Sequence, residues 1–301
     1  MAWRSVIISK PAYLSYKQKS MQITQGEEKF LIPLEDIAVL VIDNQQVTIS
    51  ASLLSACADN RLAVITVNKS HTPNGIFHPY LCHSRALKIM RQQLVMTKPH
   101  KKKLWQIIIK QKLLNQALVL DKLNISKTAD KLVAYANMVR SGDPDNLEAT
   151  AAQIYFPAIF GKGFTRADEN VFNAALNYGY SILRGAIARS LVIYGFIPAF
   201  GLHHCSELNA FNLADDLLEP YRPVVDLFVY QICKDITEMN TELKVALTGL
   251  LHHDITRIEQ EKITGKSTTL TLIDATVISL SQSVQNKQLC LVLPSLPDDF
   301  T

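Results

Sequence analysis

Residues 200–223 read FGLHHCSELNAFNLADDLLEPYRP. A paired histidine, His203-His204, closes a turn punctuated by Gly195, Pro198 and Gly201. The helix that then opens carries acids on one side. Asp215 lies four residues before Glu219 and Asp216 three before it, spacings that make side chains neighbours on a helix face. Leu213, Leu217 and Leu218 supply an apolar stripe beside them, so the acids line the edge of a core. Acids gathered with no lysine among them repel unless a cation or a proton lies between. Imidazole with carboxylate oxygens suits a divalent ion such as Mn²⁺ and tolerates Mg²⁺. The same residues also read as a solvated acidic helix face behind a core histidine.

The 301 residues suffice for one large domain or two modest ones with a buried core. An apolar content of 48% against 19% charged excludes a disordered chain. No signal peptide is expected, because Trp3-Arg4-Ser5 opens without an apolar run. The most apolar stretch, 181–200, contains Arg184 and Arg189, which speaks against a membrane span. Five scattered cysteines without a CxxC pair imply reduced thiols and a cytoplasmic setting; Cys205, beside His204, has no second cysteine near it. The net charge of +4 conceals an asymmetry: between Asp59 and Asp121 lie eleven of the 31 basic residues and none of the 27 acidic ones. Arg85, Lys88, Arg91, Lys101, Lys102 and Lys103 are the densest part of that run and the candidate contacts for a polyanion. A solvated basic face is the competing reading of the same run.

Residues 1–75 read as a small, largely antiparallel β domain. Runs rich in Val, Ile, Tyr and Thr occupy 5–9, 13–17, 20–24, 29–32, 37–42, 47–50 and 62–67, parted by turn signals such as Gly26-Glu27-Glu28 and Asp43-Asn44. A short helix capped by Ser50 or Ser52 precedes the last run. Residues 76–84 read as a linker, and 85–301 as a larger all-α domain, so the fold class is α+β. Helices are expected over 85–96, 101–120 and 126–140, from Thr165 or Asp168 to Gly195, from Pro223 to about Met239, over 241–250, and over 272–284. A strand over 288–293 and a tail from Pro294 to Thr301 close the chain. Asp145 three residues before Glu148 forms a capping-box pattern, which leaves Glu148 open as a helix cap. His252-His253-Asp254 is a second metal-like triplet, expected in a turn or exposed helix.

Gly-Leu-His-His followed by Asn-Leu-Ala-Asp-Asp-Leu-Leu-Glu-Pro-Tyr-Arg-Pro resembles the signature of the CRISPR adaptation integrase family, CRISPR-associated protein one, nearest to members from type II systems. The resemblance puts a histidine ligand three residues after Gly201, at His204, and an acidic ligand at Glu219. The family's third ligand, a glutamate opening a helix ahead of an Ala-Ala-x-x-Tyr pattern, falls on Glu148 in Leu147–Tyr155. The Asn173–Tyr180 run also matches the family. The resemblance implies a metal-dependent endonuclease and integrase, with Glu148, His204 and Glu219 as catalytic ligands of Mg²⁺ or Mn²⁺. His203, Asp216, Asp215 and Arg222 are supporting groups or alternative ligands, since the doubled histidine and the adjacent aspartates each leave the register open by one. Implied partners are double-stranded DNA (spacer fragment and CRISPR repeat), a second copy of the chain in a homodimer, a small ferredoxin-like adaptation protein and other CRISPR effector proteins, with no membrane. The residues alone leave two other readings: a metal-dependent phosphohydrolase on a helical scaffold that recruits His252-His253-Asp254, and a non-catalytic DNA-binding scaffold.

Overall fold

The computed structural model describes residues 4–69, 71–79, 83–234, 236–286 and 288–296. The N-terminal part runs β1 (Arg4–Ile8), β2 (Tyr13–Lys17), β3 (Ser20–Gln25), β4 (Glu28–Pro33), β5 (Ile37–Ile42), β6 (Thr48–Ile49), α1 (Ala51–Asp59), β7 (Ala63–Val67) and β8 (Pro73–Phe77). These form two four-stranded sheets, ordered β1-β5-β7-β8 and β4-β3-β2-β6. The second is antiparallel through β2, β3 and β4. In the first, however, β1, β5 and β7 are parallel and only β8 returns antiparallel. The expectation of a largely antiparallel domain is corrected here. β5, IAVLVI, is a continuous apolar run with Ile37 to Val41 wholly buried, the pattern of a strand covered on both faces. Ser50 caps α1 as expected, accepting from the Leu53 N–H.

The helical part runs α2 (Ala86–Leu94), α3 (Lys98–Lys122), α4 (Ser126–Met138), α5 (Leu147–Phe160), α6 (Val171–Ile193), α7 (Asn212–Leu218), α8 (Arg222–Ile232), α9 (Thr241–Gly249), β9 (Asp254–Glu259), β10 (Lys262–Thr268), α10 (Thr269–Asn286) and β11 (Val292–Ser295). A 3₁₀ turn, Glu219–Tyr221, joins α7 to α8. α3 begins three residues earlier than expected, at Lys98, with Pro99 in its first turn, where its missing N–H is no loss. Strands β10, β9 and β11 make a three-stranded sheet, so the largely helical part is not purely so. The hairpin between β9 and β10 turns on Gln260 and Glu261, both at positive φ. Neither is the Gly, Asn or Asp that normally marks such a turn, so the hairpin carries no turn signature in its residues.

The two parts share a core. One face of the β1-β5-β7-β8 sheet packs with Leu14, Met21, Leu34 and Leu53; the other, through Val39, Val41, Ala63 and Ile65, joins the helical core. α6, the long central helix, lies on that face. Gly185 lets it do so: a Cβ there would stand 2.7 Å from Ile65 Cδ1, too close for any real contact. β8 crosses the expected boundary at residue 75. The remainder of the expected 76–84 linker includes Tyr80, Leu81 and Cys82, which lie outside the described residues, as does the expected tail beyond Leu296.

Candidate active site

The His203-His204 loop is organised by one carboxylate. Asp216, wholly buried on α7, accepts from the backbone N–H groups of Leu202, His203 and His204 at 2.5, 3.1 and 3.1 Å, and its Oδ1 lies 2.7 Å from His204 Nδ1. The loop can close this tightly only with glycine at its start. A Cβ on Gly201 would fall 2.2 Å from the His204 carbonyl oxygen and 2.8 Å from Asp216 Oδ2. The bond to Asp216 raises the His204 pKa above its ordinary 6.5 against the lowering effect of burial. With Nδ1 committed to Asp216, Nε2 is the ring nitrogen left for a ligand, the arrangement in which a carboxylate orients a metal-binding histidine.

The two histidines thus separate. His203 lies flat on Trp105 of α3, ring centroids 4.2 Å apart and planes 2° from parallel, whereas His204 meets the same indole edge-on at 5.6 Å. Asp215, four residues before Glu219, is committed to other partners. Its oxygens are held by Arg184 Nε at 2.7 Å and by Asn209 Nδ2 at 2.7 Å.

Glu219 begins the turn after α7 and is buried. Arg222 Nε donates to its Oε1 at 2.9 Å and Lys112 Nζ to its Oε2 at 2.5 Å. Burial alone would push this carboxyl up; Arg222 and Lys112 outweigh it and hold the pKa at about 2. Lys112 also donates to Glu148 Oε1. One ammonium therefore bridges the acids of α5 and the α7–α8 turn. Burial opposes that charge, yet Glu219 and Glu148 together raise the Lys112 pKa above the ordinary lysine value.

Glu148 is not the helix cap. Asp143 caps α5, accepting from Leu147 N–H and Glu148 N–H at 3.0 Å each, while Asp145 is held outside by Arg140 at 2.9 Å. The Glu148 carboxylate is left for the site. Lys112 is the functional residue that the sequence reading missed. It occupies the buried stripe of α3 with Ile108, Ile109, Leu113 and Gln116, and a lysine on an apolar stripe was the available signal. One turn on, Asn115 Nδ2 bonds the Pro220 carbonyl at 2.8 Å and the Pro294 carbonyl at 3.0 Å, fixing α3 to the Glu219 turn.

Among the described residues no group of three or more His, Cys, Asp or Glu closes on a common point as a metal cage would. The structure instead brings Glu148 and Glu219 together on the Lys112 ammonium, with Glu219 close enough to His204 to act on its charge. The ammonium is a stand-in cation between two carboxylates, so the donor set has the chemistry for a hard divalent ion. An open groove lined by Thr72, Tyr180, Arg184, His204, Asp215 and Arg222 runs past His204 and the Glu219 partner Arg222.

The remaining candidates fall as follows. Arg85, Lys88, Arg91, Lys102 and Lys103 are exposed on α2 and the first turns of α3, whereas half-buried Lys101 donates to the Gly201 carbonyl at 3.1 Å. Arg222 is a partner of the acids through Glu219, stacked over the Tyr180 ring at 4.6 Å. In the His252-His253-Asp254 triplet the histidines are half-buried and Asp254 is exposed, and none of the three lies in an α-helix. His252 ends a 3₁₀ turn and bonds Ser5 Oγ at 2.8 Å, His253 packs edge-on to Phe228 at 5.5 Å, and Asp254 begins β9. Cys57, Cys205, Cys233 and Cys290 are free thiols. No helix among the described residues is long and apolar enough to cross a membrane.

Comparison with known proteins agrees with this geometry. Residues 5–257 match the family model described as CRISPR associated protein Cas1. A CRISPR-associated endonuclease Cas1 from Neisseria meningitidis serogroup C (strain 8013) is 44% identical over 290 residues, 95% of this chain and 94% of the relative. A solved Cas1 protein from Thermotoga maritima shares the fold at 18% identity and a TM-score of 0.75, over 98% of this chain and 100% of that one. A Cas6-RT-Cas1–Cas2 complex does so at 16% identity and 0.72, over 95% of this chain and 35% of that longer one. With the family matched across most of its length and the signature loop closed on Asp216, the chain belongs to the Cas1 family of CRISPR-associated proteins.

Proposed function

We propose that this Cas1 chain is a metal-dependent DNA integrase and endonuclease of CRISPR adaptation. It joins the 3′-hydroxyls of a short DNA fragment to the CRISPR repeat by transesterification, inserting a new spacer. The coarse assignment to a CRISPR-associated endonuclease and integrase rests on the family. The observation that carries the finer one is the convergence of Glu148 and Glu219 on a single buried cation beside His204.

Glu148, Glu219 and His204 Nε2 would hold one Mg²⁺ or Mn²⁺. When bound, such an ion supplies polarisation of the phosphodiester and neutralisation of charge on the leaving oxygen. The rest is the work of the chain. Asp216 fixes the His204 ring and tautomer, Arg222 keeps Glu219 ionised and aimed, and Trp105 walls the loop on its far side. The groove from Thr72 to Arg222 admits the DNA strand, and the exposed basic residues of α2 and α3 follow its phosphates.

Among the described residues one chain carries one such cluster, whereas inserting a fragment requires attack at both ends. The working species is accordingly a twofold assembly, with a small ferredoxin-like partner of the Cas2 kind between the dimers. Tyr13 and Leu31, exposed on the face of the β4-β3-β2-β6 sheet opposite buried Leu14, Met21 and Ile23, are the surface for the second copy. The test is an integration assay of the purified chain, with and without its small partner, on supercoiled DNA carrying a repeat and a 3′-hydroxyl fragment. Joined product that requires Mg²⁺ or Mn²⁺ is expected. Joined product formed without a divalent metal, or full activity of Glu148→Ala, would overturn the assignment.

A further inference from the structure

The reaction just described gives Lys112 no part, yet its ammonium is held on a side chain 6% exposed, between two acids. Its position coincides with the one an ion held by Glu148 and Glu219 would need, and two cations cannot share it. We propose that Lys112 is a tethered cation that holds the Glu148–Glu219 position in the metal-free protein and competes with the divalent ion for it. This inference rests on reading those two glutamates as ligands.

The geometry suits displacement. Asn115 pins α3 to the Glu219–Pro220 turn, so the helix stays in place and the ammonium leaves by rotation of its four-carbon stem. Glu219 is not orphaned by that departure, because Arg222 bonds its other oxygen, Oε1. Glu148, 32% exposed, has solvent on one side and tolerates the change. Before the ion arrives, the same ammonium spares the core a buried acid with one partner missing, a defect that is strongly destabilising when a buried pair is broken by removing one member. The residue therefore trades metal affinity for a folded, metal-free site.

Mn²⁺ alone is the probe. Its binding to the full chain is measured by the free-ion electron paramagnetic resonance signal, and thermal midpoints are recorded with and without Mn²⁺. Lys112→Met should bind Mn²⁺ about tenfold more tightly than the native chain. It should also melt lower without metal and gain more from its addition, since a tighter ligand stabilises the folded state further. Lys112→Gln covers the case in which the methionine variant does not fold, and the same direction is expected of it. Lys112→Arg, which keeps the charge, should stay within about threefold of the native affinity. Native binding that is lost in Glu219→Gln but unchanged or weaker in Lys112→Met and Lys112→Gln overturns the competition alone. No Mn²⁺ binding by the native chain or any variant overturns the ligand reading, and this inference with it.

Discussion

Asp216 shows how one side chain converts a local sequence pattern into a site. Four hydrogen-bonding groups of the histidine loop converge on it, and none of its neighbours in sequence can substitute. Asp216→Asn keeps the size but forces an amide N–H against donors, so strand transfer should fall about 10- to 100-fold, as for other carboxylates that orient metal-binding histidines. Its circular dichroism should be unchanged; full activity would show that the loop holds itself. Asp226 behaves differently. Burial raises its pKa to about 6 despite hydrogen bonds from Tyr180 and Tyr155. The folded state then binds a proton that the unfolded state, at an ordinary 3.8, has lost. Stability should fall as pH rises through that window, by up to roughly 1.4 kcal/mol per unit. Thermal melts of Asp226→Asn should lack this fall, and parallel curves would refute it. Which acids matter was only partly legible in the sequence. His204, Glu148 and Glu219 sit in recognisable patterns, but Lys112 lies in a lysine-rich segment where its burial is decided by α5 and the Glu219 turn, remote in sequence.

Among the elements, α2 and the start of α3 concentrate the exposed base. Replacing Arg85, Lys88, Arg91, Lys102 and Lys103 by Gln should weaken duplex binding irrespective of sequence, and each lost phosphate contact should lower the log–log salt slope by roughly 0.9. Filter binding across salt concentrations measures it; an unchanged slope would place these side chains against solvent or protein. Lys101 is left out of that set because it holds the Gly201 carbonyl. Element identity was read well where periodicity was strong, as in β2, β3, β5 and α6, whose bounds lie close to the expected ones. It was missed where tertiary context rules. β9 and β10 lack a glycine turn, and the helix expected to reach Met239 ends at Ile232, capped by Cys233.

For the whole molecule, the shared core changes what can be removed. Deleting residues 1–75 would strip β7 and half of β8 from α6 and expose Gly185 and its apolar surroundings, so the helical part should not survive alone. The dimer is better tested at the surface. Tyr13→Ser and Leu31→Ser together should yield a monomer by light scattering without a lower melting temperature, and an unchanged dimer would place the interface elsewhere. Parallel pairing of β1, β5 and β7 was not legible, because a buried apolar run does not declare its neighbour's direction. The most direct test of the central claim compares the two adjacent histidines in metal-dependent strand transfer. His204→Ala should lose activity by more than about 100-fold, since its ring is the one Asp216 orients. His203→Ala, which only unstacks from Trp105, should stay within about tenfold. The reverse order, His203 essential and His204 dispensable, would contradict the account.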